Sequence, residues 1–286
     1  MLNNAFIKIA EYISSIDITQ NCLFEKHEHK KICNNIIKSD LHHLNYKINA
    51  IINDTTETID IINEFNDHET NYLLAYKSLD GFDNLISNIT IGSIYCLYEY
   101  DSNEKKIIKI LKAGYCIYGF NTLLVETEIN SVNLYKLNNN QFKYIKKIDL
   151  NKSSENIYSI NEAYEYSPEI NHLIRFYKSK NYKQRWVGTM VADCHRILLN
   201  DGVFMYPSSC KINNKKISLL YQGYPFAFIF EKAGGIAIDC NLNKILDKVN
   251  LTSINDFHIK TSIILCSNEK YIQLVNVINY FEENRY

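Results

Sequence analysis

The sequence predicts a layered α/β protein, and three observations carry that expectation. Strand-like and helix-like segments alternate through both halves of the chain, with neither type confined to one half. The 286 residues are 46% hydrophobic, enough for one large core or two modest ones. Turn signals such as Asp101-Ser-Asn-Glu104 and Gly234-Gly235 separate segments of ordinary length.

Taken in order, residues 4–53 read as helical because apolar residues recur every three or four positions. Thr58 to Ile62 reads as a short strand and the polar Asn63 to Thr70 as a loop. Tyr72 to Tyr76 is an apolar strand that runs into Lys77-Ser-Leu-Asp-Gly81. Asn88 to Glu99 and Lys106 to Tyr118 are strands rich in Ile and Tyr, and Asn121 to Leu137 and Gln141 to Ile148 continue the β-structure. The polar run Asn151 to Asn156 divides the chain into an N-terminal part, 1–150, and a C-terminal part, 151–286. Ile157 to Ile160 then reads as a strand and Pro168 to Tyr177 as a helix. Val187 to Leu199 reads as a helix burying Met190, Val191, Cys194 and Leu198, closed by Asp201-Gly202. Val203 to Tyr206 and Ile217 to Tyr221 are strands. Pro225 opens a helix that Gly234-Gly235 stops. A strand at Ile263 to Cys266 precedes a last helix, Glu269 to Glu282.

Composition excludes several classes of function. A net charge of −1 gives no general attraction to nucleic acid or to an anionic membrane. No apolar stretch is long enough to span a bilayer, and the first fifteen residues lack the basic start and apolar run of a signal peptide. Eight cysteines occur without a C-x-x-C pair, mostly inside apolar segments, so the expectation is buried thiols in a reducing, cytoplasmic setting.

Two runs carry the most specific signal. They are Arg185-Trp-Val-Gly-Thr-Met-Val-Ala-Asp-Cys-His-Arg196 and Tyr221-Gln-Gly-Tyr-Pro-Phe-Ala-Phe-Ile-Phe-Glu-Lys-Ala-Gly-Gly235. With Ile89-Thr-Ile-Gly-Ser-Ile94, Ala113-Gly-Tyr-Cys-Ile-Tyr-Gly119, Tyr158-Ser-Ile-Asn-Glu-Ala-Tyr164 and Gly202-Val-Phe-Met-Tyr-Pro207, they resemble segments of the class I fructose-1,6-bisphosphatase family, in that family's order. The resemblance runs from about Asp40 to about Asn279. It implies a layered α/β/α/β/α sandwich of the sugar-phosphatase type. It also implies a substrate-phosphate site made of Asn161, Tyr164, Tyr206 and Lys216, with Arg185 reaching in from a neighbouring subunit. That chemistry is sound, because a phosphate dianion takes charge-assisted donors and a guanidinium grips two oxygens at once. One family tyrosine is Trp186 here.

The metal half of the resemblance is altered. The family's Asp-Pro-Leu-Asp-Gly-Ser-Ser is replaced by Lys77-Ser-Leu-Asp-Gly-Phe-Asp83. Asp80 keeps the second aspartate, whereas Lys77 stands at the first. The family's upstream acidic pair falls at Asn63-Glu64 on this reading, and its last metal glutamate at Gln222. The residual catalytic and metal-ligating set is therefore Asp80 and Glu64, with Asp83 or Asp67 as reserves. Mg²⁺ needs hard anionic oxygens. Putting an ammonium in place of a carboxylate changes the local charge by two units, each about 4 kcal/mol at roughly 4 Å from a cation. Mg²⁺ is thus expected only if the chain is active, and no tightly bound cofactor otherwise. Lys77 would also place its ammonium where a metal sat and could meet a phosphate there.

Three readings stay open. The chain is a sugar-phosphate-binding pseudoenzyme or regulatory subunit, with fructose 1,6-bisphosphate or fructose 6-phosphate as ligand. Alternatively it is an active Mg²⁺-dependent 1-phosphatase of carbohydrate metabolism and gluconeogenesis, or an interaction scaffold without ligand. The expected partner is a second copy in a dimer or tetramer, or an active paralogue. AMP control is not expected, because Asp17-Ile-Thr-Gln20 lacks the glycine of the family's nucleotide loop. Asp193, His195 and Glu231 are read as packing and capping groups rather than a relay.

Overall fold

A computed structural model describes residues 1–17, 26–56, 58–66, 69–152, 154–208, 217–253 and 258–284. Strands β1 (Ile48–Asn53), β2 (Asp60–Ile61), β3 (Asn71–Asp80), β4 (Ile91–Asp101), β5 (Lys106–Tyr118), β6 (Thr122–Glu128), β7 (Ser131–Asn138) and β8 (Gln141–Ile148) form one sheet, in the order β2-β1-β3-β4-β5-β6-β7-β8. Its one parallel pair is β1–β3, with Asn53 opposite Tyr76; the remaining pairs are antiparallel. The second sheet contains β9 (Ile157–Ser159), β10 (Lys183–Gln184), β11 (Val203–Tyr206), β13 (Gly235–Ile238) and β15 (Ile263–Ser267), in the order β10-β9-β11-β15-β13. A small ladder joins β12 (Ile217–Ser218) to β14 (Lys260–Thr261).

The helices fill the layers between and outside these sheets. The helices α1 (Asn3–Ser15) and α2 (Lys26–Asp40) press Phe6, Ile9, Cys33 and Ile37 onto Leu74, Tyr76, Tyr95 and Leu97. Alternate residues of the same strands, Leu73, Ala75, Ile94 and Cys96, face the other way. There they meet α4 (Met190–Asn200) and α5 (Tyr224–Lys232), whose opposite sides rest on Phe204 and Leu265 of the second sheet. The outer face of that sheet is closed by α3 (Pro168–Ser179) and α6 (Asn268–Glu283) through Leu173, Tyr177, Leu274 and Ile278. The result is the five-layered α/β/α/β/α sandwich that the resemblance implied.

Local signals account for several boundaries. Ser167 caps α3 by accepting from the Ile170 amide, with Pro168 in the first turn, and Ser267 caps α6 by accepting from the Lys270 amide. Gly234, at φ +90°, ends α5 in the left-handed region as read. Cys33, Cys96, Cys116, Cys194 and Cys266 are buried free thiols and Cys240 is half-buried, while Cys22 and Cys210 lie outside the described residues.

Four readings are corrected. The stretch 4–53 is not wholly helical, since Ile48–Asn53 is a strand buried at every position. A strand covered on both faces shows no alternation, so its apolar run imitates a helix. The strand expected at 88–99 starts at Ile91, after Asn88 turns the chain at φ 53°. The helix expected from Val187 starts at Met190, because Val187 and Gly188 donate their amides to Asp193 instead. The strand expected at 217–221 stops at Ser218 and becomes a π-helical turn, Leu219–Gly223.

Candidate functional site: two neighbouring clusters

The first cluster lies at the C-terminal ends of parallel strands in the second sheet, where ligands of open α/β sheets gather. β9 lies between β10 and β11, with Tyr158 opposite Gln184 and Ser159 opposite Phe204. The chain leaving these three ends carries Asn161, Arg185 and Tyr206. Asn161 Oδ1 accepts from the Ala163 amide at 3.0 Å, which uses the acceptor and keeps the two NH₂ donors. The Asn161 carbonyl accepts from the Tyr166 hydroxyl at 2.7 Å, and Tyr164 meets Tyr166 edge to face with 6.4 Å between ring centroids. Burial raises the Tyr166 pKa, and the neighbouring Tyr206 and Tyr164 raise it further, so the three phenols are grouped. Trp186 packs on Tyr206 at 5.9 Å. Arg185 is exposed, and its guanidinium donates to the Gln184 carbonyl at 2.8 Å. Lys216 lies outside the described residues.

The second cluster lies where β1 and β3 end side by side. Lys77 Nζ donates to Asp80 Oδ1 at 2.8 Å, with the two side chains 20% and 5% exposed. Gln222, carried by the π-helical turn, donates its amide to the same oxygen at 3.3 Å. The Val191 amide at the start of α4 donates to Asp80 Oδ2 at 3.1 Å. The parallel register sets Asp54 beside Lys77, and Lys30 pairs with Asp54 Oδ2 at 2.5 Å. Burial alone would lower the Lys77 pKa. The charge and hydrogen bond of Asp80 and the charge of Asp54 outweigh it and hold the pKa above the usual lysine value.

The loop Arg185–Thr189 joins the clusters. Asp193, fully buried, accepts from the Val187 and Gly188 amides and pairs with Arg196 at 3.0 Å. Asn84 holds the other side of this loop through the Val187 carbonyl and the Thr189 hydroxyl. Gly81 turns beneath it at φ +77°, where a Cβ would lie 2.2 Å from Thr189 Oγ1. The Asp193 network is therefore a clamp on the loop. His195, donating to or accepting from the Tyr115 hydroxyl at 2.9 Å, sits apart from it.

Two expected residues lie elsewhere. Asn63 donates to the Ile48 carbonyl, and the Glu64 carbonyl accepts from Asn49, so both sit at the start of β1. Asp54 follows the opposite end, five positions on from Asn49, which is about 16 Å along a strand. Glu64 is exposed there. The carboxylate that the fold brings to Lys77 and Asp80 is Asp54, which the sequence reading missed because it took β1 as helix. An apolar run ending in Asn53-Asp-Thr-Thr56 was the available signal for a strand end. Asp83 pairs with Lys26 at the surface, and Asp67 lies outside the described residues.

These residues do not fit a divalent ion. Both Asp80 oxygens already accept hydrogen bonds, Asp54 Oδ2 is held by Lys30, and Gln222 turns donors rather than a carboxylate inward. Among the described residues, no group of three or more His, Cys, Asp or Glu side chains converges to hold a metal.

Comparison with known proteins gives this architecture its relatives. A family model described as the fructose-1,6-bisphosphatase C-terminal domain matches residues 151–279. The chain is 34% identical over 223 residues to fructose-1,6-bisphosphatase 1 of Bos taurus, covering 72% of this chain and 64% of the bovine protein. Matches to the rat and mouse proteins span 61% and 64% of their lengths, so the chain covers less than two thirds of these mammalian relatives. It is 35% identical to the class 1 enzyme of Cytophaga hutchinsonii, over 79% of this chain and 71% of that protein. The holo-form crystal structure of Leishmania major fructose-1,6-bisphosphatase superposes with a TM-score of 0.83 at 25% identity, covering 99% of this chain and 91% of that one. In fold and in sequence, the chain belongs to the fructose-1,6-bisphosphatase family.

Proposed function

We propose that this protein binds a phosphorylated sugar at the first cluster and is impaired in hydrolysing it. The observation that carries the binding half is the convergence of Asn161, Tyr164 and Tyr206 around one set of strand ends, with Arg185 just beyond the end of the adjoining strand. Neutral donors of this kind give direction, and an arginine supplies charge. Lys216 is assigned to the same group on the resemblance. The hydrolytic half fails at the second cluster, where the Lys77–Asp80 pair and the Gln222 amide occupy the oxygens that an ion would need. Fructose 6-phosphate and fructose 1,6-bisphosphate are the ligands named by the resemblance. Arg185, exposed in the single chain, completes the site of a second copy in a homo-oligomer.

Calorimetric titration with fructose 6-phosphate in EDTA tests the binding half, and a saturable heat is expected. No heat and no rise in melting temperature would overturn it in favour of a scaffold, since a ligand of the native state must stabilise it. The active-phosphatase reading draws support from the relatives' names and from Asp80, which matches the family's second aspartate. Phosphate released from fructose 1,6-bisphosphate with Mg²⁺ or Mn²⁺ would establish that reading. Light scattering reads the assembly, and a strict monomer would remove the role given to Arg185.

A further inference from the structure

We infer that the Lys77 ammonium is the resident cation of the second cluster, so that the chain excludes divalent ions by occupancy as well as by shortage of ligands. Asp80 accepts from Lys77 at 2.8 Å, and Asp54, which follows the Asn53 that lies opposite Tyr76, acts on the ammonium through its charge. Asp54 is 9% exposed, and its Oδ1 is buried without a hydrogen-bond partner among the described residues. Such an oxygen is expensive to bury unless cations lie close by. Lys30 supplies one at Oδ2, and the charge of Lys77 acts on Asp54 from the adjoining strand. Two carboxylates and two ammoniums then balance with no added ion. A divalent ion entering here would have to expel a half-buried ammonium and take up oxygens already engaged. Gln222 suits the same state, because its NH₂ donates to Asp80 where a glutamate would repel it.

The inference rests on ion-pair geometry and does not need the sugar-phosphate reading. The two fail separately, since one is read with sugar in EDTA and the other with metal and no sugar. The whole chain is titrated with Mn²⁺, and the free ion is followed by electron paramagnetic resonance. Wild type and Gln222→Glu, both retaining Lys77, are expected to show no saturable site at millimolar Mn²⁺. Lys77→Asp combined with Gln222→Glu would join Asp54 and Asp80 in a set of four carboxylates from three elements, the hard ligands a divalent ion requires. This double variant is expected to bind Mn²⁺ at least about tenfold more tightly than wild type. A tight Mn²⁺ site in wild type or in Gln222→Glu overturns the inference. So does a double variant that is folded by circular dichroism yet gains no affinity. Should the double variant fail to fold, the other two titrations decide.

Discussion

The two clusters differ in what they have left to offer. At the ends of β9, β10 and β11, a turn engages the Asn161 acceptor, and among the described residues its NH₂ donors find no acceptor and Arg185 reaches its neighbour's carbonyl alone. At the ends of β1 and β3, both Asp80 oxygens and Asp54 Oδ2 are already engaged by donors of the chain, charge against charge. Both stand at strand ends and share one clamped loop, so position in the fold does not separate them. What separates them is internal satisfaction. A cluster that satisfies itself contributes to stability, and one with unspent donors is suited to a ligand.

The comparison can be broken by substitution. The largest effect is expected from Lys77→Ala, which removes the ammonium paired with the buried Asp80 carboxylate. A loss of about 2–3 kcal/mol in urea unfolding is expected, somewhat less than for a fully enclosed pair. Affinity for fructose 6-phosphate should hardly change. A substitution that cost affinity and spared stability would place Lys77 among the ligand donors. Gly81→Ala comes next, at about 2 kcal/mol, because it forces an unfavourable φ and drives a methyl into Thr189. Thr189→Ala in the same chain should recover part of that loss.

At the other cluster the expected pattern reverses. Arg185→Ala should weaken fructose 6-phosphate about tenfold with unfolding unchanged, since an exposed side chain carries little stability. A shift in the urea midpoint without a change in affinity would contradict this. The smallest effect is a pH dependence outside both clusters. Burial lowers the His195 pKa from 6.5 to about 4. The folded state then binds fewer protons than the unfolded chain between these values. Its stability is intact above about 6.5 and is lost as pH falls towards 4. His195→Gln should spare about 1 kcal/mol of that loss at about pH 5.5, one unit below the unfolded value, measured as the difference between the two unfolding curves.

Much of this was legible in advance, for physical reasons that differ from residue to residue. The caps at Ser167 and Ser267 and the stop at Gly234 act through neighbouring backbone, so local sequence is enough to find them. Asn161, Tyr164, Arg185 and Tyr206 were singled out through matched segments, and their positions fall at or just beyond adjoining strand ends. Asp54 was not legible, since its importance depends on which strand lies beside β3, and β1 hides its period by being covered on both faces. The π-helical turn was missed for a related reason. Leu219 to Gly223 is buried throughout, and an apolar run looks alike whether extended or coiled.

The placement of α4 and α5 has a mechanical consequence. Each is roofed by one sheet and floored by the other, so a chain cut near residue 150 would leave either fragment with half of this apolar middle layer bare. Melting should therefore be a single event for the entire molecule, and a fragment made alone should clump until its missing half is supplied.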